Sequence, residues 1–396
     1  MSPSPRSKPG LRPEEAIAIT GLGMVSALGS DVISSCAAAR AGLTRWSELD
    51  LVISDEDTLE PVPLKGHEVT SLCWGFQGYA RWLRLADAAL RDLLDYSGLE
   101  RDTAEGTGIH VQLPGDWMQE VHLQGSLIDQ FPEKERPQVH EDLVAERAEW
   151  RAHVTRRLIP ELLSLSAFPI APSHRAYTFG GAATFTSALL SATAAIQSRA
   201  VDRCIVGGID SWVDEEALRC AFELGLLRTP NRAVGRYPGE AAAFILLERA
   251  SAARSRGARI EGFLGQVASH SEGGHRFSGK SSTGLALFEA ISACFPAGAP
   301  AQGDIGLSIV NLNGDEPRAR EYGHTLVRLQ ASGLPTPDQR WYVPASFGEL
   351  GAATGAAAVC LGVRGFARRY ARSARILVAL LDDEPSRGAF VLSDIP

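Results

Sequence analysis

Six cysteines and nine histidines are the first candidates for chemistry in this chain of 396 residues. Cys36, Cys73, Cys204, Cys220, Cys294 and Cys360 lie far apart, mostly in apolar contexts, and no C-x-x-C pair occurs. That pattern excludes a zinc ribbon and a redox dithiol, and reduced, buried thiols in a cytoplasmic protein are expected. Cys204 falls on a core strand and is expected to pack rather than react. No serine sits in a G-x-S-x-G elbow. Thr184, Thr186 and Ser187 open a helix of small residues, where hydroxyls bond to the preceding turn, and a hydroxyl without a positioned base is no nucleophile. Gly21 and Gly23 follow the apolar strand Ala16-Ile17-Ala18-Ile19-Thr20, as in a dinucleotide fingerprint, but the third glycine position is Ser26. A tight turn between closely packed backbones is the expectation there.

The elements that must position these groups are read from spacing. Hydrophobic residues make up 45% and charged residues 22%, as in folded globular proteins. A net charge of −8 argues against a nucleic-acid binder. No apolar run approaches the ~18 residues of a membrane span. Met1 to Glu15, with several prolines and no apolar stretch, reads as a disordered tail and not a signal peptide. A helix is predicted from Ser30 or Asp31 to about Ala41, stopped by Gly42. Leu83, Leu85, Ala86, Ala89, Leu90, Leu93 and Leu94 carry helical spacing, and Gly108 to Leu113 reads as a strand. Residues 115–165 read as charge-rich helices with solvated faces. Strand Ala176 to Phe179 leads through Gly180-Gly181-Ala182-Ala183 into a helix from Thr184 to Arg199 with almost no charge, expected to be buried on all sides. Buried strands follow at Arg203 to Val206, ended by Gly207-Gly208, and at Ala241 to Glu248. From Arg259 the series starts again: strand 259–268, helix 283–294, strand 305–310, helix 316–332 and strand 341–343. A small-residue helix opened by Gly348 to Gly355 and a closing antiparallel pair, 376–381 with 389–392, complete it. Two halves of this β–α–β–α–β–β rhythm imply an internal duplication.

Six short segments, taken in order and spacing, carry a resemblance. They are Ile19-Thr20-Gly21-Leu22-Gly23 with Leu28-Gly29; Val206-Gly207-Gly208; Pro238-Gly239-Glu240-Ala241-Ala242-Ala243; Ala252 to Ile260; Asn311-Leu312-Asn313-Gly314; and Gly348-Glu349-Leu350-Gly351-Ala352-Ala353. Over nearly the whole chain after residue 16 they resemble β-ketoacyl-acyl carrier protein synthases of the thiolase fold. The resemblance implies an α/β fold of two duplicated βαβαβαββ halves in a five-layer α-β-α-β-α sandwich. The halves would be 16–256, with a helical insertion at about 115–165, and 257–396, after the tail 1–15.

The chemistry of that family needs a cysteine at the head of the central buried helix, where the helix N-terminus stabilises the thiolate. It also needs two histidines that stabilise the charge formed as malonyl loses CO2. The resemblance places the cysteine position at Ala182 and the histidine positions at Asn313 and Glu349; the family's lysine falls near Pro344, and its late glycine-rich loop is replaced by Asp382-Asp383-Glu384-Pro385-Ser386-Arg387-Gly388. A methyl group cannot attack a thioester, and Glu349 adds negative charge where the reaction requires its neutralisation. The three positions are therefore expected to be vestigial, with no catalytic residue, no cofactor and no metal. An inactive family variant that still decarboxylates malonyl groups keeps both histidines, which this chain lacks.

What remains is a ketosynthase-like protein that works by binding. One reading is an accessory partner, adaptor or chaperone in type VI secretion effector delivery, on the likeness of Arg40-Ala41-Gly42-Leu43-Thr44-Arg45 and Glu60-Pro61-Val62-Pro63 to such proteins. The alternatives are a chain-length-factor-like subunit pairing with an active ketosynthase in fatty-acid or polyketide-type biosynthesis, and an acyltransferase-type enzyme using unrecognised residues. Family members pair through the strand before the nucleophile helix. Arg175, Ala176, Tyr177, Thr178 and Phe179 are therefore the expected dimer interface, an edge with no proline or lysine to blunt it. The expected partner is a protein, either a second copy or a ketosynthase-like or secretion homologue, with acyl carrier protein as a further candidate; no nucleic acid and no membrane are expected. Arg364, Arg368, Arg369, Arg372 and Arg375 suggest a basic helix face.

Overall fold

A computed structural model describes residues 14–296, 300 and 304–396. The expected N-terminal tail lies, up to Pro13, outside the described residues. The chain opens with β1 (Ile17–Ser26), buried along its whole length, and α1 (Val32–Arg40), whose first turn is capped by Asp31 accepting the Ser34 N–H at 2.8 Å. A hairpin of β2 (Ser47–Ser54) and β3 (Pro61–Gly66) follows, then the single turn α2 (Thr70–Cys73) and the long α3 (Gly78–Ser97). β4 (Thr107–Leu113) is followed by α4 (Trp117–His122) and the 30-residue α5 (Arg136–Leu165), which occupy the charge-rich stretch. The first series closes with β5 (Arg175–Phe179), α6 (Phe185–Gln197), β6 (Arg203–Ser211), α7 (Glu215–Glu223), β7 (Glu240–Arg249) and α8 (Ala250–Ser255). The second runs β8 (Gly262–Ser271), α9 (Leu285–Ala293), β9 (Leu307–Val310), α10 (Glu316–Ala331), β10 (Gln339–Tyr342), α11 (Val343–Phe347), α12 (Thr354–Ala367), β11 (Arg375–Leu381) and β12 (Ser386–Ser393).

The strands are ordered β10-β9-β11-β12-β8-β1-β7-β6-β4-β5. In one half β7 is antiparallel to both β1 and β6, while β4 is parallel to β6 and β5. In the other, β12 is antiparallel to both β8 and β11, while β9 is parallel to β11 and β10. Order and sense repeat strand for strand. Within the sheet, among the described residues, the halves join where Ile17–Ile19 of β1 pairs with Gly262–Leu264 of β8. α6 and α12 touch strands of both halves and form the middle layer, with α3 and α5 outside one half and α9 and α10 outside the other. This is the expected α/β five-layer arrangement, and it buries α12 along nearly its whole length.

Three local expectations are corrected. β1 does not turn at Gly21-Leu22-Gly23 but runs through it, because a Cβ on Gly23 would lie 2.2 Å from the Ala89 carbonyl; glycine admits α3 directly onto the strand. α6 is not covered all round: Ser187, Leu190, Ser191 and Ala194 are exposed, since the face turned away from the sheets has no neighbour within the chain. The basic helix does not form either. α12 ends at Ala367, Arg364 is buried with a 2.9 Å bond to the Tyr96 hydroxyl, and Arg369 and Arg372 have positive φ in the turns that follow.

Candidate functional site: a buried ion-pair cluster at the heads of the two central helices

Each central helix begins with a single 3₁₀ turn, Ala182–Thr184 before α6 and Gly351–Ala353 before α12. Unpaired backbone N–H groups at such ends demand acceptors. The acceptors come from the opposite half of the molecule. Asp382, just past β11, accepts the Ala183 N–H at 3.0 Å and lies 3.5 Å from the Thr184 hydroxyl. Asp210, in the counterpart strand β6, accepts the Ala352 N–H at 2.8 Å. The capping is reciprocal, in keeping with the repeated strand order. It also explains why β6 runs on through Gly207-Gly208 instead of ending there: a Cβ on Gly208 would lie 2.2 Å from the Ala352 carbonyl. Burial pushes the Asp210 carboxyl up to about 7, against the pull of the Ala352 and Ser211 N–H groups. Burial likewise pushes Asp382 up to about 6, moderated by the Ala183 N–H and then by Arg318 and Arg387.

The three positions singled out by sequence converge here. Ala182, 1% exposed, and Glu349, also 1% exposed, line the same cavity. Asn313 donates its side-chain N–H to Glu349 Oε2. That same oxygen receives the Arg318 guanidinium at 2.9 Å, while Oε1 accepts the Gly351 N–H at 3.3 Å. Glu349 is thus tied on both oxygens.

Sequence reading missed the cations of this cluster. Arg236, fully buried, holds Asp315 at 2.6 Å and Asp383 at 2.5 Å. Arg318 bridges Glu349 to Asp383, the latter at 2.9 Å, and Arg276 pairs with Asp315 from the outer side. Burial alone would raise the Asp383 carboxyl; the guanidiniums of Arg236 and Arg318 outweigh it and hold the group well below the usual carboxylate range. Three arginines face Asp315, Asp383 and Glu349, so the charges balance, as buried charges must. A signal existed for Arg236, which stands between Gly235 and the Pro238-Gly239-Glu240 motif; Arg318 lies in the charged run Asp315 to Glu321, where it looks like any solvated helix residue.

The cluster fills the site. The cavity lined by Ala182, Arg318, Glu349, Asp382 and Asp383 has a volume of about 70 Å³, against the ~300–1,000 Å³ typical of small-molecule pockets. It can admit water, not an acyl chain. β5, the expected interface strand, ends the sheet: it pairs with β4 alone, and its five residues are all half-buried.

No family model and no curated protein matches the sequence. Solved structures do. The oxazolomycin ketosynthase domain of Streptomyces albus superposes with a TM-score of 0.69 at 16% identity, covering 96% of this chain and 75% of that one. The ishigamide ketosynthase/chain length factor gives 0.66 at 17%, covering 97% and 100%. A type II polyketide ketosynthase solved in complex with its acyl-carrier protein gives 0.70 at 14%, covering 96% and 100%. With its repeated strand order and two central helices, the chain has the thiolase-like fold of the ketosynthases and chain length factors.

Proposed function

We propose that this chain is a ketosynthase-fold protein without condensing chemistry, and that it acts by pairing with another protein in the manner of a chain length factor. One observation carries the reading: the methyl group of Ala182 at the head of α6 and the buried, ion-paired carboxylate of Glu349 line one cavity of only about 70 Å³. Condensation requires a thiolate at the helix head and neutral or positive donors around a developing oxyanion. Here Asp382 already accepts the Ala183 N–H at the helix head and Glu349 is committed to Arg318.

Pairing is supported by two adjoining features. β5 leaves its outer backbone edge open, and α6 behind it exposes Leu190 at 44% with Ser187, Ser191 and Ala194. An open edge next to an uncovered helix face is the form of a surface that another subunit covers. The neighbours that are a ketosynthase/chain length factor and a ketosynthase with its carrier protein support a homologous partner and an acyl carrier protein as what this chain meets. The effector-export reading draws no support from these likenesses.

The test is Ala182→Cys. The new thiol would lie between the Asp382 cap and Glu349, both of which disfavour a thiolate. The variant is expected to show no ketoacyl product from octanoyl and malonyl thioesters. Turnover in it would overturn the reading.

A further inference from the structure

A second group of reactive side chains lies away from this cluster. α4 ends at His122, and α7 packs against it with Cys220 and Glu223 one turn apart on the same face. The Cys220 sulfur is 3.7 Å from His122 Nδ1, and Glu223 bonds the other ring nitrogen, Nε2. A carboxylate accepts, so the ring proton facing Glu223 is on Nε2, and in the neutral imidazole Nδ1 then carries the lone pair that faces the thiol. Nucleophile, base and orienting carboxylate thus stand in sequence. All three line a cavity of about 780 Å³, within the range of ligand pockets, with an apolar wall of Leu123, Leu143, Val144 and Trp150 and a charged rim that includes Arg147 and Arg219. The paired side chains Asp116, Arg147 and Glu216 stand between this cavity and the one at Ala182.

We propose that Cys220, His122 and Glu223 form an acyl-accepting thiol site that takes an apolar acyl group from a thioester. This goes beyond the reading above and uses none of Ala182, Asn313, Glu349 or Arg318. The Cys220 sulfur attacks the thioester carbonyl carbon while His122 Nδ1 takes the thiol proton. The tetrahedral intermediate collapses with loss of the carrier's sulfur, which leaves as a thiolate and recovers that proton from Nδ1. The products are a Cys220 thioester and a free carrier thiol, with no oxidant or reductant needed. The substrate class follows from the chemistry. Burial, with Glu216 and Glu223 nearby, pushes the Cys220 thiol up to about 11, so the resting sulfur is a thiol and its attack needs a base. A base-assisted thiol suits exchange with a thioester, whose leaving thiol resembles itself, better than cleavage of an amide, whose leaving group is far more basic. The leucine and valine walls suit an alkyl chain.

The probe is the octanoyl thioester of N-acetylcysteamine, incubated with the full chain and followed by intact mass and peptide mapping. A single octanoyl adduct on Cys220 is expected, absent in Cys220→Ala and slowed by about a hundredfold in His122→Gln, the scale of general base catalysis. Glu223 is 34% exposed, and Glu223→Gln is the variant least disruptive to folding. It should retain the adduct but form it more slowly, with a changed pH profile. The charged groups facing the thiol are Glu216, Arg219 and Glu223 on its own helix and Arg147 on α5, with His122 on α4. Absence of the adduct, an adduct on another cysteine, or rates indifferent to both His122→Gln and Glu223→Gln would overturn the proposal. Ketoacyl product is assayed separately with malonyl thioester. An adduct without condensation leaves the reading of the Ala182 cavity standing, and condensation without an adduct on Cys220 defeats each separately.

Discussion

Arg318 is the residue on which the cluster turns, because it holds both Glu349 and Asp383 at 2.9 Å, whereas Arg236 holds Asp383 at 2.5 Å but stands 4.0 Å from Glu349. Arg318→Met would leave both carboxylates buried with one partner fewer. Removing one member of such a buried pair costs about 3–5 kcal/mol, so the urea midpoint should fall accordingly; a loss under about 1 kcal/mol would show that water reaches the cluster and screens it. That Ala182, Asn313 and Glu349 belong to one site was legible in the sequence, because glycines and short motifs around them keep their spacing. The arginines were not. Arg236 and Arg276 come from two separate loops and Arg318 from the first turn of α10, and they acquire meaning only when the fold brings them to Asp315, Asp383 and Glu349. His122 and Cys220 were hidden for the same reason, being 98 positions apart in the chain.

The central helices are held by charges that titrate near neutrality. Asp210 and Asp382 have carboxyls raised to about 7 and about 6 in the folded chain, against ~3.9 when unfolded. Between those limits the folded state keeps protons that the unfolded state has released. Their contribution to stability is therefore full below about pH 4 and is lost as pH rises through the folded values. Asp382→Asn keeps an acceptor for the Ala183 N–H and removes the ionisation. The urea midpoint of the variant should fall less steeply than that of the parent between about pH 4 and 6, the limits set by the unfolded and folded carboxyl. Parallel slopes would show that Asp382 is ionised throughout. Periodicity gave most elements to within a few residues, from α1 with its Asp31 cap to the closing β11–β12 pair. It failed where packing overrides local pattern. The glycines of β1 and β6 look like turns, but they are places where a helix presses against a strand. The uncharged α6 looks fully buried, but one face of it is open.

At the scale of the molecule, that open face and the β5 edge are expected to close in a dimer, with a second copy or with a homologue. Tyr177→Pro would remove a backbone donor and bend the strand. Leu190→Arg, which leaves the backbone intact, would place a charge on the covered helix face. Light scattering should show a dimer for the wild-type chain and a smaller mass for both variants. A wild-type monomer at micromolar concentration would leave only the heterodimer, and variants that stay folded at unchanged mass would place the interface elsewhere. The repeated strand order has a larger consequence. On the proposed reading, the scaffold keeps its shape without condensing chemistry, because the core rests on α12, α6 and the strands between them and not on the few positions at the helix heads. The most direct measurement is condensation by the unmodified chain, supplied with octanoyl and malonyl thioesters and monitored for released CO2 and ketoacyl product by mass spectrometry. The account predicts neither above the protein-free control; steady formation of either one by the wild-type chain, abolished by boiling, would contradict it.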